Sequence, residues 1–214
     1  IYIEALAEAG ILKEPADIFR MKFDDVKRVI EHRRKEQAEA RRKAQGKEPP
    51  KDWAADYAEP TAADAVDLPV LPPSWVWASA EQLCGFITKG TTPPKGGDEG
   101  GTKTVPFLRV TNLTQTGALD FADRTFVSQA THTGFLARSR VVSGDVLMNI
   151  VGPPLGQVSL VPTQFPEWNI NQAIAIFRPV AGVSNLLLRL ALLSPLAQGW
   201  LKARAKTTAG QTNL

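Results

Sequence analysis

Residues 143–162 read SGDVLMNIVGPPLGQVSLVP, and they carry the clearest strand signal in this chain of 214 residues. The turn residues Ser143–Asp145 lead into the apolar run VLMNIV (146–151). Gly152-Pro153-Pro154 then ends the strand, because proline cannot donate a backbone hydrogen bond to a neighbouring strand. A second short strand is predicted at GQVSLVP (156–162). Short strands joined by tight turns therefore form the centre of the predicted fold.

Apolar runs on either side predict the other strands. They are Trp75–Trp77, VPFLRV (105–110), Arg124–Val127 and INQAIAIF (170–177). Residues 88–104, TKGTTPPKGGDEGGTKT, contain five glycines, two prolines and no hydrophobic residue, which predicts a long exposed loop. Helices are predicted after the capping-box pair Ser79 and Gln82, within 128–138, and over 186–205 with a break at Pro195. The mixture predicts an α+β fold in a single domain of short strands and helices.

The N-terminal part has a different pattern. Residues 1–46 are predicted to be a charged helical extension, with one long helix from Asp24 to Gly46. This helix has no large aliphatic residue after Ile30, so we expect it to project into solvent. Residues 47–70 contain several prolines and read as a semi-rigid linker, and we place the domain boundary near Pro69–Pro73. The domain itself is assigned to residues 71–206.

Composition excludes several classes of protein. No run of about 18 apolar residues is present, so no membrane span is expected. The single cysteine, Cys84, excludes an intrachain disulfide and a zinc cluster within this chain. The chain begins at Ile1 and has no secretory signal, so we interpret it as a fragment of a longer cytoplasmic protein.

Charge is unevenly distributed along the chain. Residues 1–71 carry 13 Lys and Arg against 15 Asp and Glu, whereas residues 72–214 carry 12 against seven. The basic C-terminal part favours an anionic partner. Lys27–Lys47 holds nine basic and three acidic residues and can lie near a nucleic-acid backbone, although a solvated helix is the simpler interpretation.

No catalytic motif is complete. Gly96 and Gly101 have the spacing of a phosphate-binding loop, but Thr102 separates them from Lys103. Asn149 and the following prolines do not form the Asn-Pro-Pro-aromatic motif of adenine methyltransferases. The seven aspartates and glutamates of residues 72–214 are too scattered along the chain for a nuclease metal site. His132 is expected at the surface, and Cys84 is expected to be a buried small hydrophobe. By elimination, the domain is predicted to bind rather than to catalyse.

Polar side chains near predicted strand ends and loops suit nucleic-acid recognition. Lysine and arginine contact phosphates and guanine, and asparagine and glutamine read adenine edges. The candidate DNA-binding residues are Lys89, Thr91, Thr92, Lys95, Lys103, Arg109, Asn112, Thr114, Gln115, Asn149, Gln157, Asn171 and Gln172. For each one a turn or surface role is the alternative, and Asn171-Gln172 can instead satisfy backbone groups in the core. Asp145 is interpreted as a turn residue.

Several strings resemble a known family. LPPSWVWASAEQLC (71–84), KGTTPPK (89–95) and VPFLRVTNL (105–113) resemble the opening of a target-recognition domain of a type I restriction-modification specificity subunit. SGDVLMNIVGPPLGQVSLVP (143–162), WNINQAIAIFRP (168–179) and AKTTAGQTNL (205–214) continue the resemblance in order. The charged stretch and proline linker also resemble the spacer before a second recognition domain in such subunits.

The resemblance implies a function without catalysis. Such a domain reads one half of a split target in double-stranded DNA, and the subunit docks methyltransferase and restriction subunits that defend the cell against foreign DNA. No cofactor is then expected in this chain, since S-adenosylmethionine, ATP and Mg would belong to the partner subunits, and no metal site is expected. A second specificity half is a further possible partner. Residues 207–214 would begin the family's long helix, here truncated, which puts methyltransferase docking in doubt for this fragment.

Two alternatives remain open at this point. The chain can be the recognition region of a single-chain restriction-methylation enzyme, or a protein-interaction scaffold that contacts its partner through the helix at 24–45. Separately, EAGILKEPADIF (8–19) is faintly similar to helical turns in DNA ligases and in phosphoenolpyruvate-utilising enzymes. We interpret that similarity as chance or as the remnant of a fusion.

Overall fold

The structure, a computed structural model, describes residues 23–44, 46, 60–72, 75–94, 97–98, 101–208 and 211–213. The chain divides into two compact units. The first comprises Ile1–Phe86 with Pro179–Val183, and the second comprises Ile87–Arg178 with Ser184–Leu214. The predictions for residues 1–22, for linker residues 47–59 and for Lys95 lie outside the described residues.

The long predicted helix is present in the first unit as α1, Phe23–Ala44. Its surface carries the i,i+4 ion pair between Glu39 and Lys43, whose charged atoms lie 2.8 Å apart. Gly46 adopts φ +69°, and its N–H donates to the carbonyl of Lys43. The helix therefore ends at the glycine that the sequence indicated.

One side of α1 is not free in solvent, which corrects the expectation that the helix projects from the protein. Arg34 Nε donates to the carbonyl of Cys84 at 2.9 Å. A Cβ on Gly85 would lie 1.8 Å from Gln37 Oε1, so the glycine permits this close approach. The polar part of this helix thus packs through arginine and glutamine side chains. Cys84 is buried, as predicted.

The described part of the linker is held by hydrogen bonds to the short helix α2, Ala80–Leu83, and its cap. Thr61 N–H donates to Glu81, which lowers the pKa of that carboxyl, and Ser79 Oγ donates to the Thr61 carbonyl. Ser79 and Gln82 form the predicted capping box. The strand predicted at Trp75–Trp77 is wrong, because this segment pairs with no described strand and Trp77 Nε1 instead donates to the Pro69 carbonyl.

Short strands and helices follow in the rest of the chain, most of them in the second unit. The first and the eighth of these strands each have residues in both units. The strands are β1 Cys84–Lys89, β2 Lys103–Leu108, β3 Phe126–Ser128, β4 Val146–Asn149, β5 Val151–Gly152, β6 Val158–Leu160, β7 Asn169–Ile170, β8 Ile174–Pro179, β9 Lys206–Thr208 and β10 Gln211–Asn213. The helices are α3 Gln129–Thr133, α4 Asn185–Leu193 and α5 Pro195–Arg204, with 3-10 turns at Val110–Asn112 and Ala137–Ser139. The predicted α+β class is confirmed, and so is the helix break at Pro195, which begins α5.

Three small sheets organise these strands. The largest has the order β1-β8-β4-β6, in which β4 runs antiparallel to both β6 and β8. In the second sheet, β2 lies between antiparallel β3 and parallel β7. Every residue of β4 is buried, as expected for a central strand whose two faces are both covered.

The core is apolar and partly aromatic. Val105, Phe107, Val127 and Leu136 form one buried cluster. A second cluster contains Phe121, Phe126, Phe165 and the fully buried Trp168, whose rings meet edge to face with centroids 4.9–6.2 Å apart. Edge-to-face pairs add to the free energy gained from burial alone.

The C-terminal residues form strands, so the helix predicted at 207–214 is wrong for the described residues there. β9 and β10 pair antiparallel, and β10 also pairs with β5, with Thr212 opposite Gly152. The string that would begin a helix in the resembling family here completes a three-stranded sheet. Backbone pairing with β5, more than 50 residues earlier in the chain, takes the place of the helix that the resemblance implied.

A buried ion pair joins β8 to the turn before β4. Asp145 is 1% exposed, and Arg178 donates to both of its carboxylate oxygens, at 2.7 Å from Nε and 2.6 Å from Nη2. Val142 N–H donates to the same carboxylate, and Arg178 also donates to the Arg140 carbonyl. The sequence predicts only a turn residue at Asp145, and the structure shows that its larger role is this ion pair.

His132 is fully buried, so its predicted surface position is wrong. Ile170 N–H and the Ser139 hydroxyl both donate to Asn169 Oδ1, which leaves Asn169 Nδ2 to donate to His132 Nδ1. His132 Nε2 then donates to Glu167, 3.1 Å away. Burial alone would raise the pKa of Glu167, but hydrogen bonds from His132 and from Arg140 outweigh it and hold the pKa below its ordinary value.

We predict that Asp145→Ala lowers the free energy of unfolding by about 3 kcal/mol, because it removes the buried carboxylate that accepts from Arg178 and from the Val142 N–H. Urea titration followed by circular dichroism measures the change. Asp123→Ala is the matched control, since it removes an ion pair to Arg109 whose acidic side chain is 76% exposed, and it should cost less than about 1 kcal/mol. Equal losses for the two variants would contradict the assignment.

Candidate nucleic-acid interface

The end of β1 meets the turn between β7 and β8. Gly90 N–H donates to the Ile174 carbonyl at 3.0 Å. A Cβ at position 90 would lie 2.1 Å from the carbonyl oxygen of Asn171, so only glycine fits there. This contact brings Lys89, Thr91 and Thr92, which the sequence placed in a loop, beside Asn171 and Gln172, which it placed on a strand.

Side chains cross this junction. Thr92 Oγ1 donates to Gln172 Oε1, and Arg138 Nη2 donates to Thr91 Oγ1 at 3.0 Å. We call the six residues Lys89, Thr91, Thr92, Arg138, Asn171 and Gln172 the β1-end patch. Four of them are exposed, while Thr91 and Asn171 are half-buried.

The patch presents two cations, two hydroxyls and two amides, and none of its residues is acidic. Within the part of the chain that the structure describes, neither Lys89 nor Arg138 is in an ion pair, and Gln172 Nε2 has no hydrogen-bond partner. Cations of this kind can contact phosphates, and an exposed amide can hydrogen-bond a base edge. The arrangement is therefore suited to an anionic ligand that also offers hydrogen-bonding groups.

Two other predicted cations are already paired with acids. Lys103 Nζ lies 3.4 Å from Asp98, and Arg109 Nη2 lies 2.5 Å from Asp123. Burial would raise the pKa of Asp98, but hydrogen bonds from Thr131, Ser128 and Lys103 lower it to about 2. These cations are consequently less available to an external phosphate than Lys89.

Two predicted base-reading residues are buried. Asn112 is 1% exposed, accepts from Arg109 N–H and donates to the carbonyls of Asp120 and Asp123. Asn149 is fully buried, accepts from Gln157 N–H and donates to the Pro154 carbonyl. Both asparagines hold loops in place, so their assignment to DNA binding is wrong. Their amides satisfy backbone groups that would otherwise be buried without partners.

The remaining candidates lie outside the strands and helices. Thr114 Oγ1 donates to the Ala118 carbonyl, and Gln115 is exposed at the tip of the same turn. Gln157 is half-buried and accepts a long hydrogen bond from Asn149. Asn171 Oδ1 accepts from Ala173 N–H, as its structural alternative predicted. Of these four, only Gln115 offers an exposed side chain comparable to those of the β1-end patch.

Arg138 is the residue that sequence reasoning missed. The sequence predicts a helix over 128–138, but α3 ends at Thr133 and Arg138 lies in the following 3-10 turn. Gly134, directly after α3, was the available signal that the helix stops there. A cation just after such a stop belongs to a loop and is for that reason a candidate for binding.

Neither a metal-binding cluster nor a membrane span is found in the described residues. No group of three or more histidine, cysteine or acidic side chains is close enough to hold a metal ion among them. None of the described helices combines the length and apolar character that crossing a membrane requires.

The solved structures that are similar to this chain include an HsdS subunit and a chain of a type I R-M system. One is the HsdS subunit of Thermoanaerobacter tengcongensis, with 18% identity and a TM-score of 0.48, covering 99% of this chain and 44% of that chain. The other comes from a study of complex assembly and conformational transition in a type I R-M system, with 19% identity and a TM-score of 0.44, covering 80% and 38%. This chain thus spans less than half the length of either.

Sequence comparison gives a different similarity. DNA ligases from two strains of Methylorubrum extorquens are 48% identical to the chain over 50 residues. This match covers 23% of the chain and 6% of each ligase, so it does not carry ligase activity to this chain. No protein-family model matches the chain.

We predict that the Asp98 carboxylate contributes about 2 kcal/mol to folding at neutral pH, since its pKa is about 2 in the folded chain against 3.8 ordinarily. A lowered folded pKa means that this contribution is complete above about pH 4 and is lost as the pH falls towards 2. Asp98→Asn, which keeps an oxygen for Ser128 N–H, should therefore be less stable than the parent at pH 7. The gap in unfolding free energy should narrow below pH 4, and a gap that is constant with pH would contradict the assignment.

Proposed function

We propose that residues 71–206, which contain the β1-end patch, form a DNA-reading module of the kind found in type I restriction-modification specificity subunits. It binds double-stranded DNA in the cytoplasm and reads one half of a bipartite target. The observation that carries this proposal is the β1-end patch, in which Lys89 and Arg138 lack acidic partners among the described residues beside the exposed amide of Gln172.

The construction of the patch supports this function. Gly90 is fixed against the backbone of Ile170 and Asn171, and the turn holding Gln172 is closed by the Asn171 side chain. A residue that reads a base must be held at a fixed distance from the phosphates that position the protein. Strand ends that are locked by backbone contacts meet this requirement.

The order of the sequence strings supports the same function. Six strings that resemble a recognition domain occur in the same order between residues 71 and 214. The β1-end patch takes Lys89, Thr91 and Thr92 from the second string and Asn171 and Gln172 from the fifth. Two distant strings thus contribute to one surface.

We propose that the chain performs no chemistry itself. Methyltransferase and restriction subunits would supply catalysis, and S-adenosylmethionine, ATP and Mg would bind to them. The chain would act by determining where on the DNA those subunits work, and a second specificity half would read the other part of the target. Domain assignment to residues 71–206 remains part of this proposal.

We predict that Lys89→Ala and Arg138→Ala each weaken binding to all duplexes and reduce the slope of log affinity against log salt by about 1, because each removes about one phosphate contact. Fluorescence anisotropy at several salt concentrations measures both quantities. Lys103→Ala is the matched control, since its charge is paired with Asp98, and its slope should stay near that of the parent. Titrations of Lys89→Ala that overlay the parent at every salt concentration would refute the patch as a phosphate-binding surface.

We predict that Gln172→Ala changes which sequence is preferred without changing the salt slope, because an amide carries no charge to exchange with counterions. Selection from a randomised duplex pool by the parent and by the variant gives the two preferences. At the base position that Gln172 reads, the variant should lose about 1–3 kcal/mol of discrimination between the preferred base and the other bases. Gln164→Ala, an exposed glutamine outside the patch, should select the parental sequence. Equal affinity of the parent for all duplexes would contradict sequence reading altogether.

A further inference from the structure

Helices α4 and α5 expose large apolar side chains outside the β1-end patch. Leu186, Leu187 and Leu190 of α4 are 50–56% exposed, and Leu196 and Trp200 of α5 are 44% and 52% exposed. We call these five residues the Leu186–Trp200 surface. A soluble domain that exposes so many large apolar residues on two neighbouring helices commonly uses them to bind a partner.

The opposite sides of these helices are fixed to the rest of the unit. Leu188 and Leu201 are buried. Arg189 Nη2 donates to the Thr116 carbonyl at 2.7 Å, and Gln198 Nε2 donates to the carbonyls of Gly156 and Leu192 at 2.9 and 2.8 Å. Because these contacts set the rotation of both helices, the exposed leucines and tryptophan cannot turn inward without breaking them.

Gly199 lies on the exposed side of α5, where a glycine lowers the stability of the helix. Glycine in a helix interior is less stable than alanine, and no atom lies within 4 Å of a Cβ built at this position. Packing inside the unit therefore does not require it. Leu196, Gly199, Trp200 and Ala203 follow the i, i+3, i+4, i+7 spacing of one helix face, so Gly199 would let the backbone of a second helix approach closely.

The charged residues around this surface indicate what kind of partner it binds. Residues 168–214 contain no aspartate or glutamate and five lysines and arginines. Lys202 and Arg204 are exposed on α5, and the Arg204 guanidinium carbon lies 4.1 Å from the centroid of the Trp200 ring. A second copy of this surface would bring like charges together, whereas an acidic partner would be attracted.

We infer that the Leu186–Trp200 surface docks an amphipathic helix of another protein, whose leucine-type ridge is flanked by aspartate or glutamate. The ridge packs against the leucines and over Gly199, and the acidic flanks face Lys202 and Arg204. This inference does not rest on DNA binding, because none of the residues involved belongs to the β1-end patch.

A synthetic helix of about 20 residues tests the inference. It carries leucine at the a and d positions of a heptad and glutamate at e and g, and its control carries lysine in place of every glutamate. Fluorescence anisotropy with the full chain should show binding of the glutamate peptide and at least about tenfold weaker binding of the lysine peptide. Binding of both peptides with equal affinity would overturn the charge assignment.

Variants locate the binding surface. Leu190→Ser and Trp200→Ser should each weaken the glutamate peptide about tenfold or more, whereas Phe135→Ser, an equally exposed apolar residue elsewhere, should leave it unchanged. Gly199→Ala should raise the melting temperature and yet weaken binding, a combination that a merely unfolded variant cannot produce. Unchanged peptide affinity in all three surface variants would overturn the inference.

Two other outcomes would also overturn it. A dimer in sedimentation analysis of the full chain that Leu190→Ser dissociates would assign the surface to a second copy. Binding to vesicles of phosphatidylserine and phosphatidylcholine that Trp200→Ser abolishes, without binding of the glutamate peptide, would assign it to a lipid surface.

Discussion

The ion pair between Asp145 and Arg178 is the constraint on which the central sheet depends. Asp145 immediately precedes β4, and Arg178 lies in β8, whose Phe177 is opposite Val146 of β4. A shift of one residue between these strands would turn every β4 side chain to the other face of the sheet. A carboxylate that is 1% exposed and accepts from three donors cannot tolerate that shift, so the pair selects one register. The β7–β8 turn, and with it Gln172, is positioned by the same register.

Local patterns were enough to predict several elements. Ser79 and Gln82 gave the start of α2, Pro195 gave the break between α4 and α5, and the apolar run from Val146 gave β4. These signals depend on residues within a few positions of one another. Elements that depend on distant partners were not predictable in this way. β10 forms because it pairs with β5, and nothing within residues 207–214 indicates that pairing.

The candidate site shows the same division between local and distant information. Lys89, Thr91 and Thr92 were predicted from residue type and loop position, and Gln172 from residue type near the end of a predicted strand, and the structure brings the four together. Asn112 and Asn149 have equally suitable side chains but are buried, because backbone groups of neighbouring loops consume their amides. Lys103 and Arg109 are paired with Asp98 and Asp123, which the sequence could not reveal because those acids lie five and 14 residues away. His132 was misplaced for the same reason, since Glu167 and Asn169 reach it from more than 30 residues further along the chain.

The pairing of β10 with β5 has a consequence for how the protein is made. During synthesis, Val151 and Gly152 leave the ribosome roughly 60 residues before their partners Thr212 and Asn213. For that interval β5 has no neighbour from this sheet, and an unpaired strand edge can recruit another nascent chain. Val151 and Gly152 form only a two-residue strand, immediately followed by Pro153 and Pro154, which lack the N–H that an intruding strand would need. The same prolines that end β5 thereby protect the growing polypeptide from pairing with the wrong molecule.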